Sequence, residues 1–314
     1  DGARTQVPTE WRDHAIELRV PAHVVDQTAY PAVLDPVVGP EVAMDEPATG
    51  VAPMDQRSVR IAWNGAHYLV VWQDLRYGAT ADIHGARVTS AGVVVDTRGI
   101  AISSAPSDQT LPAVASNGTD FFVVWEDRRA ATTRDVYGAR VSAGGVVQDL
   151  SGIAISTAAN EQQTLSVASD GADYYVVWED FRATPNWDVY GARVTAAGVV
   201  QDASGVLLGA VAGNQRHPEV ASNGDEYFVA WNEVRGSGND VLGTRVATNT
   251  GVPITPGGFD VSASSGSQQT VSVASNGTDY LVAWIDSRGI TNDAYGTRVT
   301  ADGTVLDPAG LAIS

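Results

Sequence analysis

Cysteine and lysine are both absent from this chain of 314 residues. The first absence excludes disulfide staples, thiolate metal sites and a cysteine nucleophile. The second leaves arginine as the source of every one of the 19 strongly basic side chains. No apolar run approaches the roughly 18 residues that a membrane-spanning helix needs, and no charged-then-apolar leader opens the chain, so membrane insertion is not expected. Beginning at Asp1 rather than Met, the chain is expected to be a processed or trimmed product. A net charge of −18 and a pI near 4.4 make the surface repel phosphates, which argues against nucleic acid and anionic lipid as partners. Cations, neutral glycans and basic proteins remain compatible with it.

What the chain does have is a repeat. Trp72, Trp125, Trp178, Trp231 and Trp284 are each 53 residues apart, and each sits in the same phrase: VVWQDLR then DIHGARV, VVWEDRR then DVYGARV, VVWEDFR then DVYGARV, VAWNEVR then DVLGTRV, VAWIDSR then DAYGTRV. Self-similarity at this period marks one supersecondary unit packed on copies of itself, because a lone unit cannot bury both its faces.

Residues 109–156 show the plan of one copy. Leu111 to Ser116 is an extended run that meets Asn117-Gly118, a dipeptide suited to a tight hairpin. Asp120 to Asp127 is aromatic and β-branched on both alternating faces, the pattern of a strand covered on both sides. Asp135 to Ser142 makes a third strand, and Val146 to Ile155 a fourth after the turn at Gly144-Gly145. Four antiparallel strands with one tryptophan predict a propeller blade, and the chain is read as an all-β, five-bladed β-propeller. The blades are placed at about 58–108, 109–162, 163–215, 216–268 and 269–314, with the first strand at the channel and the fourth at the rim. Gly85, Gly138, Gly191, Gly243 and Gly296 fall in the third strands, where a bulky neighbour is expected to close in.

Residues 1–57 stand outside the repeat and carry seven of the fourteen prolines. Only His14 to Val25 and Glu41 to Met44 read as extended. Val33-Leu34-Asp35-Pro36 repeats Val305-Leu306-Asp307-Pro308 at the start of a fourth strand, which predicts an N-terminal clasp or partial blade; the alternative is six blades with a degenerate first one.

The order of motifs in each copy resembles the TolB-type propeller repeat, and more closely the VVWEDxR...DIYGxRV repeats of secreted and surface proteins of bacteria. The resemblance covers about four fifths of the chain. It implies a non-enzymatic, exported or cell-surface protein whose repeats serve as scaffold or docking surface. The sequence departs from the pattern at Trp63, His84, Glu233 and Leu242.

Asp74, Asp127, Asp180, Glu233 and Asp286 occupy one equivalent position, so a closed ring would put five carboxylates on one face, a candidate metal site for Ca2+. Arginines two residues later (Arg76, Arg129, Arg182, Arg235, Arg288) and on the third strands (Arg87, Arg140, Arg193, Arg245, Arg298) offer compensation. The second arginine set is expected to face Asp82, Asp135, Asp188, Asp240 and Asp293, giving a structural ion-pair network for which no cofactor is required. Function is sought where the symmetry breaks: Tyr77 and Trp187 on variable loops, with Trp63 and His84, are the candidate ligand-binding residues.

The leading expectation is therefore a binding or adhesion scaffold for a glycan or a cell-surface protein, of undetermined oligomeric state. Two alternatives stand beside it. One is a Ca2+-stabilised structural module. The other is a glycoside hydrolase or lyase using the blade-four carboxylates Glu219 and Glu233 next to His217, since hydrolysis needs two non-equivalent acids, one with raised pKa.

Overall fold

The computed structural model describes residues 9–12, 15–18, 55–76, 80–130, 133–209, 213–236 and 238–314. The chain divides into two compact units, Asp1–Val42 and Ala43–Ser314. In the first, β1 (Thr9–Arg12) and β2 (Ala15–Leu18) pair antiparallel, with Trp11 opposite Ile16. The other N-terminal positions assigned above to a clasp, including the Val33 to Pro36 repeat, lie outside the described residues.

The second unit is a five-bladed β-propeller, each blade a four-stranded antiparallel sheet with its strands in chain order. Blade 1 holds β3 (Gln56–Trp63), β4 (His67–Asp74), β5 (Asp82–Thr89) and β6 (Ile100–Ser103). Blade 2 holds β7 (Gln109–Ser116), β8 (Phe121–Asp127), β9 (Asp135–Val141) and β10 (Ile153–Ser156). Blade 3 holds β11 (Gln162–Ser169), β12 (Tyr174–Asp180), β13 (Asp188–Val194) and β14 (Val206–Leu207). Blade 4 holds β15 (Gln215–Ser222), β16 (Glu226–Arg235), β17 (Gly238–Ala247) and β18 (Phe259–Ser262). Blade 5 holds β19 (Gln268–Ser275), β20 (Tyr280–Asp286), β21 (Asp293–Val299) and β22 (Leu311–Ala312).

The second strands are apolar on both sides because both sides are covered: every residue of β8 and of β12 is buried. In blades 2, 3 and 4 one side of the second strand packs against the preceding blade and the other against the following one. Trp178, Val176 and Tyr174 thus meet Phe122 and Val124 of blade 2, while Tyr175 and Val177 meet Tyr227, Val229 and Trp231 of blade 4. Stacked ring pairs cross three seams at the same height: Phe122–Tyr174 at 5.0 Å, Tyr175–Tyr227 at 4.9 Å and Phe228–Tyr280 at 5.0 Å between centroids. Side chains of this size bury on the order of 150–250 Å2 each, so these seams hold the wheel together.

The Asn-Gly corners are four-residue turns rather than two-residue ones. Only the glycine is left-handed (Gly118, φ 88°), and Asn117 closes the turn through its side-chain oxygen, which accepts from the backbone N–H of Thr119 and Asp120 at 3.1 and 2.9 Å. The third-strand glycines do admit bulky neighbours. A Cβ on Gly138 would lie 2.7 Å from Cζ of Phe122, and one on Gly191 would collide with the Tyr175 hydroxyl. That hydroxyl is fixed, donating to the Gly251 carbonyl at 3.0 Å in the next blade. Gly191→Ala is therefore expected to destabilise by about 1–3 kcal/mol through overpacking, as read from urea melts; a neutral substitution would contradict this packing.

Candidate functional site

The five equivalent carboxylates are consumed inside their own blades. The indole Nε1–H donates to the carboxylate two residues on: Trp72 to Asp74 at 2.7 Å, Trp125 to Asp127 at 2.8 Å, Trp178 to Asp180 at 2.8 Å, Trp231 to Glu233 at 3.3 Å and Trp284 to Asp286 at 2.9 Å. Arg76, Arg129, Arg182 and Arg288 then close ion pairs with the four aspartates at 2.5–2.7 Å. Burial alone would raise the Asp74 carboxyl, but hydrogen bonds from Arg76 and Trp72 outweigh it and hold the group below its ordinary value. In place of the cation ring considered from the sequence stand separate indole–carboxylate–guanidinium clusters. Among the described residues no three His, Cys, Asp or Glu side chains gather as a metal site. Glu233 is the exception within the set: one methylene longer, it leaves Arg235 to pair instead with Asp240 at 3.2 Å and Asp260 at 2.8 Å.

The second pairing differs from expectation. Arg87, Arg140, Arg193 and Arg298 do not face the Asp82 set; they bind Asp96, Asp149, Asp202 and Asp307 at 2.8–2.9 Å, across the hairpin between third and fourth strands. In blade 4, where Thr255 takes the hairpin position, Arg245 pairs with Glu226 at 2.7 Å.

The displaced acids lie opposite the paired ones across the ladder, Asp135 against Asp127. Burial, and then the Asp127 charge, push Asp135 up to about 6. Because its folded pKa exceeds the unfolded value of about 3.9, its favourable contribution is complete below that value and is lost as pH rises through 6. Asp135→Asn should therefore melt with the parent near pH 4 and above it at pH 7. Equal melting temperatures at both pH values would count against the assignment.

Among the sequence candidates for ligand contact, Tyr77 lies outside the described residues. His84 is buried, 3% exposed, directly across the ladder from Trp72; burial and the Arg76 cation push its pKa down to about 4, so it is a neutral core residue rather than a ligand contact. Trp63 is 41% exposed and leans on Tyr68, ring centroids 4.4 Å apart. Trp187 is half-buried between Phe181, at 4.9 Å, and the Arg216 guanidinium, at 4.8 Å.

Arg216 is the second residue of β15, the first strand of blade 4, so its stacking on Trp187 brings that ring to the start of the strand. There Arg216 pairs with Glu179 at 2.8 Å, and Glu179 also accepts from the backbone N–H of His217 at 2.6 Å. Glu126 does the same one seam earlier, accepting from Thr164 N–H at 2.8 Å and pairing with Arg134 at 3.2 Å. Both glutamates are sealed, 2% and 0% exposed, and act as hooks that fasten one blade to the left-handed residue of the next.

Further along the first strands the symmetry breaks. The equivalent positions are Arg60, Ala113, Ser166, Glu219 and Ser272, while two residues on every copy has alanine. Glu219 is half-buried and accepts from the Ser166 hydroxyl at 2.8 Å across the seam. Burial raises its pKa; the Ser166 bond and the Arg60 charge oppose that rise without cancelling it. A carboxyl whose burial favours the protonated form, beside a hydroxyl, has the chemistry of a candidate proton donor. Glu233, which the sequence paired with it, belongs to the Trp231 cluster and lies opposite Gln215, four residues from Glu219 along β15. At about 3.3 Å per residue that is roughly 13 Å, beyond the usual spacing of a hydrolytic pair. Arg60 and Ser166 escaped the sequence reading, although the variable column two residues before a constant alanine is the signal that marks them.

No protein-family model and no curated protein matches the chain. Among solved structures it is similar to an α-L-arabinofuranosidase from Lactobacillus brevis, at 12% identity and TM-score 0.46, over 80% of this chain and 93% of that one. It is also similar to the subtype N11 neuraminidase-like protein of A/flat-faced bat/Peru/033/2010 (H18N11), at 10% identity and TM-score 0.50, over 89% and 78%. A third is a thermostable family-43 glycoside hydrolase, at 10% identity and TM-score 0.48, over 80% and 91%. At these identities the similarity shows the propeller fold. The expectation of a non-enzymatic binding or adhesion scaffold finds no support among these structures, two of which are named as an α-L-arabinofuranosidase and a family-43 glycoside hydrolase.

Proposed function

We propose that the protein acts on a glycan as a glycoside hydrolase, with Glu219 as proton donor in the central channel. One observation carries this reading: a carboxyl with raised pKa, bonded to Ser166 across the seam, stands on a first strand at a position where no other blade has an acid. Glu219 would protonate the leaving oxygen as the anomeric C–O bond breaks, water would add at the anomeric carbon, and the proton that water sheds would return to Glu219. Glu126 and Glu179 are sealed in the seams, which leaves Glu219 the half-buried acid of the channel wall. Trp187 offers an aromatic surface at the mouth, and Arg60 and Arg216 suit acidic sugars there.

The test is release of reducing ends from a panel of neutral and acidic polysaccharides and aryl glycosides. Turnover of at least one by the parent, and none by a folded Glu219→Gln variant, is the expected result. A folded parent inactive on the whole panel, or a fully active variant, would overturn the proposal.

A further inference from the structure

The first strands are the inner strands of the wheel: β3 packs on β7, β7 on β11, β11 on β15 and β15 on β19, while no two fourth strands pack in this way among the described residues. The column of Arg60, Ala113, Ser166, Glu219 and Ser272 therefore runs around the middle, one side chain from each blade. The hydrogen bond from Ser166 to Glu219 shows that neighbouring members of the column meet. Two residues on, and so on the same side of each strand, every copy has alanine: Ala62, Ala115, Ala168, Ala221 and Ala274. Arg60 and Glu219 are thus the two large, charged members of a side lined otherwise by alanine and serine.

Arg60 differs from most arginines of the propeller in having no carboxylate. From Arg57 onward, among the described residues, every arginine except Arg60, Arg98 and Arg128 closes an ion pair. Arg98 lies between β5 and β6 and Arg128 just past β8, so Arg60 is the one on a first strand. Arg60 is exposed, and its one side-chain hydrogen bond among the described residues runs from Nη1 to the Val59 carbonyl, a neutral acceptor, at 3.0 Å. Arg216, by contrast, is committed to Glu179 and to the Trp187 ring. The Arg60 charge acts on the Glu219 carboxyl, yet no ion pair joins the two among the described residues. A planar fork of donors left unclaimed, in a protein whose net charge is −18, matches a carboxylate brought by the ligand.

We infer that the glycan is an acidic one, a uronic-acid oligosaccharide whose carboxylate pairs with Arg60 while the bond to be cleaved lies at Glu219; the inference rests on the hydrolase reading of Glu219. Pairing would cancel the Arg60 charge that favours ionised Glu219, so an acidic ligand would itself favour the protonated donor. The negative charge of the whole protein repels polyanions, so a preference for acidic sugars has to come from a local cation.

The test is calorimetry with oligomers of galacturonic, glucuronic and mannuronic acid, each beside its counterpart with the carboxylates reduced to alcohols. Glu219→Gln replaces the parent for any oligomer that is consumed. At least one acidic oligomer should bind about tenfold or more tightly than its reduced counterpart. Arg60→Gln should weaken that oligomer about 10- to 100-fold, the scale of a hydrogen bond to a charged group, and the reduced one little. Arg60→Lys should keep part of the preference, and Arg98→Gln, at another exposed arginine, all of it. Because Arg60 is exposed and outside any ion pair, urea melts of its variants should match the parent. No acidic preference in any pair, or a preference that survives Arg60→Gln, would overturn the inference. Acidic preference lost with Arg60 but no turnover of any glycan would leave this site standing and sink the hydrolase reading alone; turnover of neutral glycans only would sink this inference alone.

Discussion

Asp180→Ala is expected to cost about 3–5 kcal/mol, the scale for removing one partner of a buried charge cluster. The Asp180 side chain is fully buried and accepts from Trp178 Nε1–H, from the Arg182 backbone N–H and from the Arg182 guanidinium. Alanine leaves the indole donor without an acceptor in a site with 0% exposure for Trp178 and strands a guanidinium that is 21% exposed. Asn in the same place keeps an acceptor for the indole and should cost less. Glu233→Ala should also cost less, because Arg235 already pairs elsewhere. Urea melts with unchanged slope and a lowered midpoint would show the effect; a loss under about 1 kcal/mol at Asp180 would mean that the cluster is not structural.

Glu219→Gln is expected to lower kcat/KM on a responsive glycan by about 100- to 10,000-fold, the range for a positioned general acid, with melting little changed. In the parent, activity should fall as pH rises through the Glu219 pKa, at a pH above the ordinary glutamate value of about 4.3. Ser166→Ala removes a hydrogen bond that favours the ionised form and should move that limb to higher pH. A variant that lost activity without changing the limb would assign Ser166 to packing alone.

The blades were legible because packing is repeated: Trp72 to Trp284 and the glycines from Gly85 to Gly296 mark the same contacts each time, so period alone gives strands and order. Ion-pair partners were less legible. Asp82 and Asp96 are both near Arg87 in sequence, and only the tight hairpin after the third strand, which brings residue 96 over residue 87, decides between them. The channel site was half visible, since Glu219 is an unrepeated acid, but its partners come from the first strands of other blades, far away in sequence.

The functional reading rests on one carboxyl, which can be titrated without knowing the substrate. Carboxyl 13C NMR of the folded parent, with Glu219→Gln to assign the resonance, should give a Glu219 pKa above that of an unperturbed glutamate. A value at or below the ordinary one would remove the proton donor from the channel and contradict the account.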